Sequence, residues 1–114
     1  MAVVETQRFL KDAQALMPEW ERAELVLFIA TNPEAGKIIP ETGGVRKLRW
    51  AVPCRGKRGG ARVLYYYHSQ RLPVFLLAAY AKNEKATVSA AERNAMKKLT
   101  RILVDEYPTP RRQS

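Results

Sequence analysis

The chain has 114 residues, of which 46% are hydrophobic, and its 20 Lys and Arg against 11 Asp and Glu give a formal net charge of +9. That is the size of one domain, enough to close a single core but too small for a catalytic unit beside a separate dinucleotide-binding fold. One cysteine, Cys54, excludes an intrachain disulfide, and no apolar run nears the roughly 20 residues that cross a bilayer.

The start, Met1 to Glu5, lacks the basic region and apolar run of a secretion signal, so a reducing, cytoplasmic setting without membrane is expected. Val3 to Thr6 leaves room for a short strand. Phe9, Ala13, Leu16 and Met17 then recur at helical spacing, and Pro18 closes or redirects that helix. A second helix is expected from about Glu19 to Ala30, with Trp20, Ala23, Leu27 and Ala30 on its buried stripe. It stops at Thr31-Asn32-Pro33, because the residue before proline resists helical geometry.

The period then changes to two. Val45 to Trp50 alternates, with Leu48 and Trp50 on one face and Lys47 and Arg49 on the other. Ala61 to His68 sets Val63, Tyr65 and Tyr67 against Arg62, Leu64 and Tyr66. Val74 to Ala81 is nearly all apolar, which suits a central strand buried on both faces. The turn Ser69 to Pro73 fits a hairpin between these two strands. A last helix follows Ser89, which forms a capping box with Glu92, and its expected buried stripe is Ala95, Leu99, Ile102 and Leu103. The expectation is an α+β domain over residues 1–104: two helices, an antiparallel sheet of three to four strands, and a closing helix. Residues 105–114 are expected to form a flexible basic tail.

Charge is segregated. Thr42 to Asn83 contains no Asp or Glu but nine cations: Arg46, Lys47, Arg49, Arg55, Lys57, Arg58, Arg62, Arg71 and Lys82. The rest of the chain balances, with 11 basic and 11 acidic residues. Such a block suits a polyanionic partner, the alternative being a solvated cationic face with no partner. The loop Ala51 to Gly60 is unusual, with three glycines freeing its backbone and three cations loading its tip.

Metal catalysis needs clustered His, Cys or carboxylate ligands, and the central block offers one His, one Cys and no acid. His68 and Cys54 read more simply as a structural imidazole and a bystander thiol than as catalysts. Arg55-Gly-Lys-Arg-Gly-Gly lacks the GK[ST] ending of a P-loop. What remains is cations and tyrosines on a sheet, and these suit an RNA phosphate. RNA carries its own nucleophile, the 2′-hydroxyl. A protein need only align its attack, neutralise the charge that develops at phosphorus and move protons. Arginine matches two phosphate oxygens, and a lysine among arginines titrates lower than usual. These residues permit cleavage without distinguishing it from binding.

The segments Gly43 to Trp50, Arg55 to Tyr66 and Tyr80 to Glu84, preceded by Asn32-Pro33-Glu34-Ala35-Gly36, resemble the HigB branch of the RelE toxin superfamily over most of the chain. The resemblance implies a small RelE-like α+β domain that needs no cofactor and acts as an mRNA interferase. Its partners would be mRNA, the ribosome and a co-encoded antitoxin, HigA-like with a helix-turn-helix. It implies that Arg62 stabilises the transition state, that Lys82 closes the next strand, and that Lys57 serves in the glycine-rich loop beside Arg55 and Arg58. No tyrosine follows the last strand where several relatives carry one, since Val88 and Ser89 stand near that place. The general base is therefore sought among Lys57, Lys82 and Glu84. Lys47, Arg49, Arg55 and Arg58 are expected to hold RNA, and Tyr66 or Tyr80 to stack on a base.

Structural alternatives accompany these roles: an ion pair with a helix carboxylate for Arg62, a sheet-edge cap for Lys82, diffuse electrostatics for the loop cations, and a local ion pair for Glu84. At the level of function, the alternatives to an endoribonuclease toxin are a non-catalytic RNA- or ribosome-binding module and a domain whose basic face meets an acidic protein.

Overall fold

The computed structural model describes residues 1–50, 60–81 and 88–107. Its elements run β1 (Val3–Glu5), α1 (Gln7–Leu16), α2 (Glu19–Thr31), β2 (Lys37–Ile38), β3 (Val45–Trp50), β4 (Ala61–Tyr66), β5 (Val74–Ala81) and α3 (Ala90–Glu106). Local chemistry sets several boundaries. The Thr6 hydroxyl accepts from the Phe9 N–H to open α1, and Ser89 and Glu92 exchange the two hydrogen bonds of a capping box to open α3.

The expected α+β class holds, but the sheet is mixed rather than purely antiparallel. Five strands lie in the order β1-β5-β4-β3-β2. β1 runs parallel to β5, with Val3 opposite Val74 and Glu5 opposite Leu76. The helical pair α1–α2 carries the chain to the far side of the sheet, so β1 becomes an edge beside a strand that comes much later in the sequence. β2, two residues long, lines the other edge and was not legible from a period.

Strict alternation in β3 and β4 assigns their side chains to two faces. Leu48 and Val63 are partners, as are Trp50 and Ala61, and together with Tyr65 they meet α1 and α2 on one face. Lys47 and Leu64, and Arg49 and Arg62, are partners on the opposite face, where α3 packs farther along over Val45, Tyr66 and Phe75. In β5, the register slips between Leu76 and Ala78, leaving Leu77 as a bulge. The bulge inverts the alternation, so Val74, Leu76 and Ala79 join the first core and Phe75, Ala78 and Tyr80 the second.

α1 buries Phe9 and Ala13 and half-buries Leu16, and Met17, its C-cap, is buried too, as the spacing predicts. α2 does not follow its expected stripe. Leu25 and Ile29 are fully buried, whereas Trp20 and Leu27 remain 53% and 67% exposed. From Leu25 to Ala30 the helix is apolar all round, so periodicity could not choose the buried face. In α3 the stripe is shifted by one residue. Met96, Leu103 and Val104 pack on the sheet, while Leu99 and Ile102 stay exposed. Thr100 explains the shift. It is buried at the closest approach of α3 to the β2–β3 turn, its hydroxyl 3.0 Å from the Lys97 carbonyl and 3.4 Å from that of Thr42. Gly43 makes that approach possible: its φ is +82°, and a Cβ there would lie 2.2 Å from the Thr100 hydroxyl oxygen.

Tyr65 fastens the sheet to the segment after α2. Its buried hydroxyl donates to the Pro33 carbonyl and accepts from the Gly36 N–H, both at 2.8 Å. Burial pushes this phenol above its ordinary pKa, against the opposing effects of the Gly36 hydrogen bond and the nearby Arg46.

Candidate nucleic-acid interface

Beyond the end of the sheet that α3 covers, the register gathers a cationic group. Arg49 and Arg62 are directly opposite each other in β3 and β4, and Lys47 is opposite Leu64 two residues away. Tyr80 of β5 is opposite Arg62 on its other side. The expected RNA ligands Lys47 and Arg49 therefore share one sheet face with Arg62, whose role was expected to be catalytic. Like charges facing each other across a ladder destabilise it. Among the described residues, neither Lys47, Arg49 nor Arg62 is joined to a carboxylate.

Arg62 is half-buried, and its Nη1 is shielded from solvent without a hydrogen-bond partner. A buried donor left unmatched costs on the order of 1–3 kcal/mol, so natural interiors rarely retain one. The alternative of an ion pair between Arg62 and a helix carboxylate is not what the structure holds. A phosphate oxygen would supply the missing acceptor, and a second oxygen would fit the planar fork.

Not every cation of the central block joins this face. Arg46 points to the helix side, where its Nη1 donates to the carbonyls of Gly36 at 2.8 Å and Glu34 at 3.2 Å. It organises the turn after α2. Arg71 is exposed in the β4–β5 turn, at the opposite end of the sheet from Arg62. Arg55, Lys57, Arg58, Lys82 and Glu84 lie outside the described residues, as do Cys54 and residues 108–114 of the tail.

Tyr66 is not the exposed ring that its place in the motif led one to expect. It shares the face of Arg62 but is only 4% exposed beneath α3, about 13 Å along the strand at 3.3 Å per residue. Burial leaves its ring no surface for a base, and it raises the phenol's pKa. Its hydroxyl lies 3.3 Å from Nδ1 of the exposed His68, a pair remote from Arg62. Tyr80 is 7% exposed and packs within the second core, beside Arg62.

Asp12 was not singled out by the sequence. From α1 it accepts the Ala79 N–H at 3.0 Å, capping the part of β5 that β1 does not reach. The same carboxylate oxygen holds Arg8 at 3.0 Å. An acidic group turned toward an open strand edge blocks pairing with another chain, and only the folded topology brings Asp12 to Ala79.

The described residues thus form a small α+β domain with Lys47, Arg49 and Arg62 on one sheet face, none of them joined to a described carboxylate. The particular family follows from comparison. Residues 4–107 match the model described as the RelE toxin of the RelE / RelB toxin-antitoxin system. The chain belongs to the RelE toxin family and is a toxin of a toxin–antitoxin system, with the general mRNA interferase character and the antitoxin partner of that family. No helix among the described residues is long and apolar enough to cross a membrane.

Proposed function

We propose that the chain is a HigB-type, metal-independent endoribonuclease that cuts mRNA on the ribosome in the cytoplasm. The observation that carries this reading is the buried, unpartnered Nη1 of Arg62 on a face shared with Arg49 and Lys47. The branch rests on the three motifs, from Gly43, Arg55 and Tyr80 onward. Metal independence rests on a central block with one His, one Cys and no carboxylate.

In the proposed reaction the 2′-oxygen forms a bond to the adjacent phosphorus as the bond from phosphorus to the 5′-oxygen breaks. The products are a 2′,3′-cyclic phosphate and a 5′-hydroxyl. A base removes the 2′-hydroxyl proton, and an acid protonates the leaving 5′-oxygen. Arg62 binds the non-bridging oxygens and stabilises the extra negative charge of the transition state. Lys57, Lys82 and Glu84 are the motif residues from which the base and acid are drawn. Lys47, Arg49, Arg55 and Arg58 bind flanking phosphates, and Tyr80 supports the strand beside Arg62. The antitoxin is HigA-like with a helix-turn-helix.

Expression from a tightly controlled promoter tests the reading. Growth arrest with cleaved transcripts is expected, and Arg62→Ala combined with Lys82→Ala abolishes both. Normal growth with abundant unsubstituted protein contradicts it. Retained RNA affinity with no product from the unsubstituted chain would instead favour a binding module.

A further inference from the structure

We infer that the outward face of α2 is a self-association surface, on which a second copy of this chain packs its own α2 antiparallel. The stripe Trp20, Ala23, Leu27 and Ala30 has the 3-4-3 spacing of a helix seam, yet the fold does not bury it in its own core. At roughly 3.6 residues per turn, these four positions lie within about 40° of the direction opposite Leu25, the centre of the buried face. Trp20 and Leu27 are 53% and 67% exposed, Ala23 is exposed and Ala30 half-buried. Large and small residues alternate along the stripe, and the alternation is complementary to its own reverse. An antiparallel neighbour sets Trp20 against Ala30 of the second copy and Leu27 against Ala23, with the same two pairs repeated by symmetry. Each bulky side chain then meets an alanine, which lets the helix axes approach to about 8 Å.

Charge narrows the choice of occupant. α2 carries Glu19, Glu21 and Glu24 against Arg22 alone, an acidic excess in a molecule of formal net charge +9. Glu19 and Glu24 are exposed beside the stripe, while Arg22 is held by Glu5 and Glu19. RNA and an acidic helix would both be repelled by these carboxylates. α2 covers the sheet face opposite Lys47, Arg49 and Arg62, so a pair joined through α2 turns both cationic faces outward. Two +9 molecules thus meet where repulsion between their basic faces is smallest. The contact is short, about 15 Å from Trp20 to Ala30 at roughly 1.5 Å per residue. One helix face of that length is smaller than the roughly 800 Å² per partner of a standard interface, so the dimer dissociates in the micromolar range.

Sedimentation of the full chain from about 1 to 300 µM tests this, at about 0.5 M salt so that repulsion between copies is screened. A rise from the monomer mass of 13.0 kDa toward twice that value is expected. Leu27→Glu sets a charge against Ala23 of the second copy and should raise the dissociation constant at least about 30-fold, the level of an interface hot spot. Ala23→Leu sets leucine against leucine and should also weaken the dimer. Combining Ala23→Leu with Leu27→Ala exchanges large and small and should restore it, which checks the antiparallel register. Leu99→Glu, at an exposed position of α3, should change nothing. Ala23 and Leu27 are exposed, so thermal melting of dilute samples should match the parent and separates lost association from lost folding. A monomer throughout the concentration range, full association by Leu27→Glu, or no recovery in the exchanged pair overturns the inference. So does a monomer in which Leu27→Glu instead removes binding of RNA or of the product of the adjacent open reading frame. Sedimentation reads association without cleavage, so the outcome is independent of the nuclease.

Discussion

Arg62→Met separates a guanidinium kept for chemistry from one kept for structure. Methionine preserves an unbranched apolar stem of similar length. It removes an unmatched buried donor, whose burial costs on the order of 1–3 kcal/mol. It also removes a like-charge pairing with Arg49, worth about 0.2–1 kcal/mol. The stem's contacts repack imperfectly, so a net stabilisation of about 1–2 kcal/mol is expected by urea denaturation. On a domain near this size each kcal/mol raises Tm by about 4–8 °C. Cleavage should move the other way. Loss of one preorganised charge donor at a phosphoryl transition state lowers the single-turnover rate by about 10²- to 10³-fold, measured on ribosomes programmed with a defined mRNA. A variant that is destabilised by more than about 1 kcal/mol and still cuts at the parental rate would refute the reasoning, because Arg62 would then be structural.

Tyr65→Phe leaves the Gly36 N–H and the Pro33 carbonyl without their partner and should cost about 2–3 kcal/mol by chemical denaturation. Burial holds the folded Tyr65 phenol above its ordinary 10.0, so above that pH the unfolded chain binds fewer protons than the folded one. The stability linked to this group is complete below about pH 10 and declines as pH rises through the folded value, a slope that Tyr65→Phe should reduce in denaturation curves taken from pH 9 to 11. Gly43→Ala combines a left-handed φ with a 2.2 Å clash against Thr100 and should cost at least about 2 kcal/mol, with faster amide exchange along α3. Lys47→Ala and Arg49→Ala should each reduce the log–log salt slope of RNA binding by about 0.7 while leaving thermal stability within about 0.5 kcal/mol.

Much of this architecture was written in local pattern. The stripe Phe9, Ala13, Leu16, Met17 recurs at helical spacing, and the structure buries Phe9, Ala13 and Met17 and half-buries Leu16. Ser89 and Glu92 cap their helix through contacts three residues apart, which sequence displays directly. Alternation separated Lys47, Arg49 and Arg62 from Leu48, Trp50 and Val63 before any strand pairing was known. The misses share a cause in tertiary contact. α2 is apolar on several sides, and the sheet chose Leu25 and Ile29. α3 rotated by one position because a small polar residue, Thr100, fits against Gly43 where the larger Leu99 would not. The parallel pairing of β1 with β5 joins residues some seventy positions apart and leaves no periodic trace. The cationic face was legible as charge but not as membership. Arg46, adjacent to Lys47, turns to the opposite side and serves the Pro33–Gly36 segment. Tyr66 looked like a base-stacking ring and is a core residue, since α3 closes over that end of the sheet.

The central claim is that this toxin uses the RNA's own 2′-hydroxyl, with Arg62 gripping the phosphate. Cleavage of an mRNA carrying a single 2′-deoxynucleotide on the 5′ side of the cut, compared with its all-ribose twin in the presence of EDTA, measures it most directly. The account predicts efficient cutting of the ribose strand to a 2′,3′-cyclic phosphate, no cutting at the substituted position and unchanged binding. Cleavage at the deoxy position, or release of a 5′-phosphate, would contradict it.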